Sequence, residues 1–300
     1  MAAMANLSRR AVLRLGAGAA AGAAGAYALG MTPEAAPRLA GPNVAMAGVG
    51  APLLPPPPRE PAAAAPTMVT GSFVSAARGG VTTNWAIARP PGQTAPLRPV
   101  IALHGRWSDA ATVMAGGVEQ GLAQAVNAGL PPFAVVSVDG GEAYWHDRPS
   151  GDRAGSMVLG ELIPLLADKG LDTSRVAFLG WSMGGYGALL LGARLGPART
   201  AAITAVSPAL WTSYGATAPG AFESADDFAA NSVFGLPALA SIPIRIDCGN
   251  SDPFYGATKQ FIAQLPNPPA GGFSPGGHDA AFWSAQLPAE LAWMAPLLTA

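Results

Sequence analysis

The sequence predicts an α/β fold, a mostly parallel sheet covered by helices on both faces, and three observations lead to it. From residue 67 on, short runs rich in β-branched residues alternate with longer helical runs rich in small residues, the order expected of successive βα units. Several short runs, such as Val100-Ile101-Ala102-Leu103, are apolar throughout, as strands buried on both faces are. The 234 residues that follow residue 66 have the length of one domain of this class.

Taken in order, residues 71–77 and 82–88 alternate about Gly79-Gly80 and predict an antiparallel hairpin. The Val100 strand ends at His104-Gly105, and residues 112–127 predict a helix closed by Gly129. Residues 133–138 predict a strand running into Asp139-Gly140-Gly141. A helix over 155–167 buries Met157, Leu159, Leu162, Ile163 and Leu166, and Pro164 is expected to kink it or mark an exposed turn. Val176-Ala177-Phe178-Leu179 predicts a strand leading straight into Gly180, followed by a helix over 183–194. Strands over 201–206 and 242–246 come next, then helices over 256–265 and 281–298, the second interrupted at Pro288. Residues 211–239, between two strands, are long enough to form a small cap, with 225–230 helical.

Composition excludes several classes of function. Of 300 residues 12% are charged, with 17 Lys and Arg against 18 Asp and Glu, so no basic surface for nucleic acid is available. One cysteine, Cys248, excludes an internal disulfide, and three histidines spread along the chain argue against a multi-histidine metal site. No Gly-x-x-x-x-Gly-Lys phosphate loop occurs. A mean hydropathy of +0.29 raises the question of a membrane span, but the one long apolar run, residues 11–30, is mostly Ala and Gly and makes a weak anchor.

Residues 1–66 stand outside the βα pattern. Ser8-Arg9-Arg10-Ala11-Val12-Leu13-Arg14 precedes the apolar run, and no acidic residue occurs before Glu34. Residues 1–30 therefore resemble a twin-arginine export signal, with Ala26-Tyr27-Ala28 as a small-x-small cleavage site and Arg14 where lysine is more usual. The implied partner is the twin-arginine export machinery, and the implied location is the periplasm, cell envelope or exterior, with an uncleaved signal as a possible anchor. Gly16-Ala17-Gly18 and Gly22 echo a dinucleotide fingerprint, but no strand precedes them. Residues 31–66 are rich in Pro and Ala, including Pro55-Pro56-Pro57-Pro58, and read as a spacer, which leaves 67–300 as the single α/β domain.

In a parallel sheet of this kind the site lies beyond the carboxyl ends of the strands. Gly180-Trp181-Ser182-Met183-Gly184-Gly185 fits G-x-S-x-G between a strand and a helix. This is the setting of a nucleophile elbow, a turn tight enough to require glycine beside the serine. It lifts the Ser182 hydroxyl to the sheet edge and leaves the Met183 amide at a helix N-terminus, where negative charge is favoured. Serine needs a neighbouring base, and His278, in the loop Pro275-Gly276-Gly277-His278-Asp279, is the candidate. His104 is expected to shape the site, with the Arg106 amide as second oxyanion donor, and His146 could touch substrate. Asp252, in the loop after the 242–246 strand, is preferred as the acid that orients the imidazole. Its rival, Asp247, sits at the strand's end, where a carboxylate often only caps or is solvated. Trp107, Trp145, Trp181, Trp211 and Phe254 follow strand ends and could wall an apolar acyl pocket.

Residues 180–189, Gly180 to Leu189, resemble the elbow of α/β-hydrolase esterases of the esterase D and feruloyl-esterase type, relatives of the secreted mycolyltransferases. Gly277-His278 followed by Phe282-Trp283 and Gln286-Leu287 resembles their histidine segment. The resemblance implies an α/β-hydrolase fold, a Ser182, Asp252, His278 triad with the Met183 and Arg106 amides as oxyanion donors, and no metal or cofactor. Mycolyltransferases are similar around Cys248-Gly249-Asn250 but take their acid from a later glutamate, which is absent around Gln260. This favours Asp252 as the acid and ordinary ester hydrolysis. With the aromatic pocket walls, no visible membrane-binding face and the N-terminal signal, the expectation is an exported esterase for short to medium acyl chains. The alternatives are an envelope acyltransferase or an inactive binding protein with the same fold.

Overall fold

The computed structural model describes residues 67–299. Eight strands build one sheet: β1 Met68–Ser75, β2 Val81–Ala88, β3 Pro99–Leu103, β4 Ala134–Val138, β5 Val176–Trp181, β6 Thr200–Val206, β7 Ile244–Gly249 and β8 Ala270–Ser274. Their order is β1-β2-β4-β3-β5-β6-β7-β8. β1 pairs antiparallel with β2, and β2 with β4, while every pair from β4 to β8 is parallel. The α/β fold with helices on both faces is thus realised, with an antiparallel hairpin at one edge turned by Gly79 and Gly80, both at positive φ.

The sheet separates two apolar layers. On one face Met157, Leu162, Leu166, Leu189 and Phe261 pack against Ile101, Phe178 and Ile203. These side chains come from α3 (Ala154–Met157), the π-helical turn Val158–Leu162, α4 (Ile163–Asp168), α5 (Met183–Leu195) and α7 (Tyr255–Gln264). On the other face Val113, Leu122, Leu291 and Met294 meet Val100, Val135 and Leu179. They belong to α1 (Ala110–Ala115), α2 (Val118–Asn127) and α8 (Ala280–Thr299). Strands β3, β4, β5 and β6 are buried at every position, which is why their sequences carry no alternation.

Several elements differ from expectation, each for a local reason. The helix expected over 112–127 is two, because Gly117 takes φ 105°, which breaks the chain between α1 and α2. Pro164 is exposed and lies in the first turn of α4, within a run that stays helical from Ala154 to Asp168. The ladder widens to π spacing just before it, with the Ile163 amide reaching the Val158 carbonyl, and this makes room for the proline ring. The last helix is not interrupted. Pro288 and Pro296 both lie on its exposed side, away from the packed face.

Strand β7 runs two to three residues later than the expected 242–246, so Asp247 lies within it. β8 is absent from the sequence reading, which has only a loop before His278. Its composition, Ala-Gly-Gly-Phe-Ser among prolines, hides it, yet the glycine has a use. A Cβ on Gly271 would lie 2.4 Å from the Ile246 carbonyl oxygen, so only glycine lets this edge strand close on β7. α6 (Ala225–Ala230) forms as expected, capped by the Ser224 side chain on the Asp227 amide. Among the described residues no helix is long and apolar enough to cross a membrane.

Candidate active site

The turn between β5 and α5 carries Ser182 at φ 55°, ψ −116°, a region that non-glycine residues enter only under strain. The surroundings hold it there. The Ser182 amide donates to the Val206 carbonyl, and the Ser182 carbonyl accepts from the Tyr186 and Ala209 amides. Steric crowding fixes the neighbours. A Cβ on Gly180 would sit 2.1 Å from the Gly184 carbonyl oxygen, and one on Gly184 only 1.9 Å from that of Leu103. Tyr186 to Ser182 is the first intrahelical bond, so the Met183 amide lies in the first turn of α5, where amides lack helical partners.

Two further loops meet at this turn. β7 leads into residues 250–254 and β8 into residues 275–279, and they are laced together by Asn250 N–H to the Ser274 carbonyl and Ser251 N–H to the Gly276 carbonyl. His278 Nε2 then lies 2.9 Å from Ser182 Oγ, and His278 Nδ1 lies 2.8 Å from Asp252 Oδ2. The second Asp252 oxygen accepts the Phe254 amide at 2.8 Å. Burial pushes the Asp252 carboxyl up, but the hydrogen bonds from His278 and the Phe254 amide outweigh it and hold the group below the ordinary carboxylate range. A carboxylate only accepts, so Nδ1 carries the imidazole proton and Nε2 is left to accept from the serine hydroxyl. This arrangement can draw a proton from Ser182 as it attacks an electrophilic carbon and can stabilise the imidazolium that results.

The rival acid is occupied elsewhere. Asp247 is buried and paired with Arg245, with Nε 2.6 Å from its Oδ2, so it is not solvated, and the His278 imidazole bonds to Asp252 instead. The two other histidines are structural in their contacts. His104 Nε2 accepts the Gly140 amide at 2.9 Å, which places the ring proton on Nδ1, 2.7 Å from the Gly105 carbonyl. Burial lowers its pKa, so it stays neutral and shapes the turn after β3. His146 is fully buried, stacks on Phe222 at 4.9 Å between ring centroids and faces Asp227 at 3.3 Å. It joins the 142–153 loop to the 211–239 segment and does not line the cavity beside Ser182.

Beside Ser182 opens a cavity of about 290 Å³ lined by Arg106, Trp107, Val113, Trp181, Trp283 and Leu287, among others. Trp107 and Trp181 therefore stand where expected, and Trp107, 82% exposed, forms the rim. Trp145 does not. It is wholly buried, its Nε1–H donates to the His104 carbonyl at 3.1 Å, and Gly140 and Gly187 lack side chains where its ring lies. The backbone at Tyr144 and Trp145 is left-handed, and the indole is turned inward, where it packs against His104 in the turn after β3. Trp211 and Phe254 also lie outside the cavity. Trp211 packs against Tyr144 and Phe222 under the 211–239 segment, and Phe254 sets its ring edge-on to His278 at 5.2 Å. The cavity lies between α1 and α8, and none of its lining comes from 211–239.

Trp283 is the wall that sequence reasoning passed over as a site residue. Its ring meets His278 at 5.2 Å and 88°, and it lines the cavity. Its position five residues after His278, on the first turn of a helix opening at Ala280, was the available signal. Among the described residues no group of three or more His, Cys, Asp or Glu side chains is placed to hold a metal ion.

A model of the family Esterase, described as "Putative esterase", matches residues 80–294. No curated protein matches the sequence. Among solved structures, a ferulic acid esterase superposes with a TM-score of 0.68 at 20% identity, covering 77% of this chain and 98% of the other. An S-formylglutathione hydrolase from Staphylococcus aureus gives 0.64 at 19% identity, covering 76% and 98%. MPT51 from Mycobacterium tuberculosis gives 0.61 at 18%, covering 75% and 97%. Likeness at these identities speaks to the fold, the α/β-hydrolase architecture, which the chain shares.

Proposed function

The chain belongs to the Esterase family and is a serine ester hydrolase, and from that premise we propose that it is an exported carboxylesterase acting on short to medium acyl esters. The observation that carries the proposal is the hydrogen-bonded run from Ser182 Oγ through His278 to Asp252, at 2.9 and 2.8 Å. Ser182 attacks the ester carbonyl while His278 takes its proton, and Asp252 orients the imidazole and stabilises its charge. The oxyanion forms against the Met183 and Arg106 amides. His278 then protonates the leaving alcohol, and the acyl group stays on Ser182. Water, deprotonated by His278, releases the acid and restores the serine.

Support for the acyl range comes from the cavity of about 290 Å³, walled by Trp107, Val113, Trp181, Trp283 and Leu287. Such a volume, at the small end for ligand sites, suits a few carbons or one ring better than a long lipid chain. Export rests on the Arg9-Arg10 signal of residues 1–30, with 31–66 as the tether to the catalytic domain, both outside the described residues. Labelling with a fluorophosphonate tests the nucleophile. The wild type should be labelled and Ser182→Ala should not, and equal labelling of the two would remove Ser182 from the mechanism. Turnover of p-nitrophenyl esters from acetate to decanoate then tests the acyl range, and fractionation of cells carrying Arg9→Lys/Arg10→Lys tests the signal.

A further inference from the structure

Glu142 binds the loop after β3 with both carboxylate oxygens. Oε1 accepts the Trp107 amide at 2.9 Å, and Oε2 lies 3.3 Å from Arg106 Nε. The Arg106 guanidinium is held on further sides by the Pro219 carbonyl at 3.2 Å and by the Trp107 ring, 4.8 Å from its centroid. We infer that Glu142 is a positioning residue for the oxyanion site, gripping Arg106 by its guanidinium and by the peptide that follows it, so that the Arg106 amide, which belongs to the preceding Gly105–Arg106 peptide, keeps its aim. The inference rests on the proposed role of the Arg106 amide.

The physical argument runs through the peptide plane. Trp107 sits at φ 60°, a strained conformation for a bulky residue, so the loop gains by relaxing unless something opposes it. The amide and carbonyl of a trans peptide point in opposite directions. Rotation of the Arg106–Trp107 plane would therefore free the Trp107 amide and swing the Arg106 carbonyl with it. The Arg106 amide lies one peptide earlier, so relaxation of the strained Trp107 backbone reaches it through the Arg106 Cα, and a donor whose aim drifts stabilises a developing oxyanion less. The Glu142 bond to the Trp107 amide blocks that rotation. It also keeps the Trp107 amide occupied and leaves Arg106 as the amide of this loop that serves the site. Glu142 itself touches no substrate-facing atom of Ser182 or His278, and its side chain is about half exposed.

The test uses the full-length protein and p-nitrophenyl butyrate. Glu142→Ala should lower kcat by about 10- to 100-fold, the size of a misplaced donor, with KM within about twofold. Binding of phenylboronic acid, whose tetrahedral adduct places oxygen at the oxyanion position, should weaken by a similar factor. Glu142→Gln should recover most of kcat, because its amide oxygen still accepts from Trp107. An unchanged kcat in Glu142→Ala, a loss carried by KM alone, or no recovery by Gln would each overturn the inference. Should Glu142→Ala fail to fold, Glu142→Asp, too short to reach the Trp107 amide, carries the same test, and a wild-type kcat there overturns it. Failure of the wild type to be labelled by fluorophosphonate would instead overturn the reading of the site itself.

Discussion

Asp252 and His278 come from loops after adjacent strands, β7 and β8, and meet at 2.8 Å, with the second Asp252 oxygen tied to the Phe254 amide. Because that amide locks one oxygen, the carboxylate cannot turn away from the imidazole. Asp252→Asn would present an amide that cannot accept and orient in the same way. It should lower kcat by about ten-thousand-fold, the size of effect the wrong tautomer has in a serine-protease triad, while leaving substrate binding largely intact. The sign of its pH effect on stability follows from its depressed carboxyl. The stability it contributes is present above the unfolded-state value, near 4, and is lost as pH falls through the lower folded value. Acid unfolding of Asp252→Asn should accordingly be flatter than that of the wild type below about pH 4.

The elbow glycines are predicted to be intolerant. In Gly184→Ala the new Cβ would lie 1.9 Å from the Leu103 backbone oxygen, a contact that no side-chain movement relieves. A loss of about 3 kcal/mol or more, or failure to fold, is expected in urea unfolding. By contrast Gly160→Ala, on the exposed side of the π-helical turn with nothing within 4 Å of its new methyl, should be near neutral. Equal stability of the two variants would contradict the packing described.

Two tryptophans should separate fold from specificity. Trp145→Ala empties a fully buried site against His104, Gly140 and Gly187, and should cost about 3–5 kcal/mol of stability. Trp283→Ala opens the cavity beside Ser182 and should move the preferred p-nitrophenyl ester to a longer chain with smaller change in stability. An unchanged chain-length profile in Trp283→Ala would remove that wall from the acyl site.

Glu290, on α8, is fully buried, and the Asp247 carboxylate and the Arg245 guanidinium are the charged groups that act on it. Burial, and then the Asp247 charge, push its carboxyl well above the usual range. The stability tied to this proton is fully present below the unfolded-state value and is lost as pH rises through the folded one. Glu290→Gln, uncharged at every pH, should match the wild type near pH 4 and exceed its Tm at alkaline pH. Parallel Tm curves across that range would show that Glu290 does not carry the pH dependence.

Much of this architecture was legible in the sequence because parallel strands buried on both faces write themselves as unbroken apolar runs, as in β3 and β5. The nucleophile turn was legible for a related reason, since glycine at 180 and 184 is the only solution to contacts of 2.1 and 1.9 Å. β8 was not, because Gly271 serves a close approach to β7 and the Gly271-Gly272 pair erases the apolar pattern. The pocket walls were also misjudged in part. A tryptophan after a strand end can face the cavity, as Trp181 does, or turn inward, as Trp145 does, and the choice depends on a left-handed backbone and on Gly187 from a distant helix.

By itself, then, the sequence determined the fold class, the serine turn and the residue types able to serve as base and acid, because each is written in local pattern and steric need. Only the tertiary structure decided that Asp252 and not Asp247 meets His278, that the cavity lies between α1 and α8, and that Glu142 grips the loop of Arg106. Those relationships join residues tens of positions apart, and their distances are set by how the strands align and how the loops pack, which no local pattern encodes.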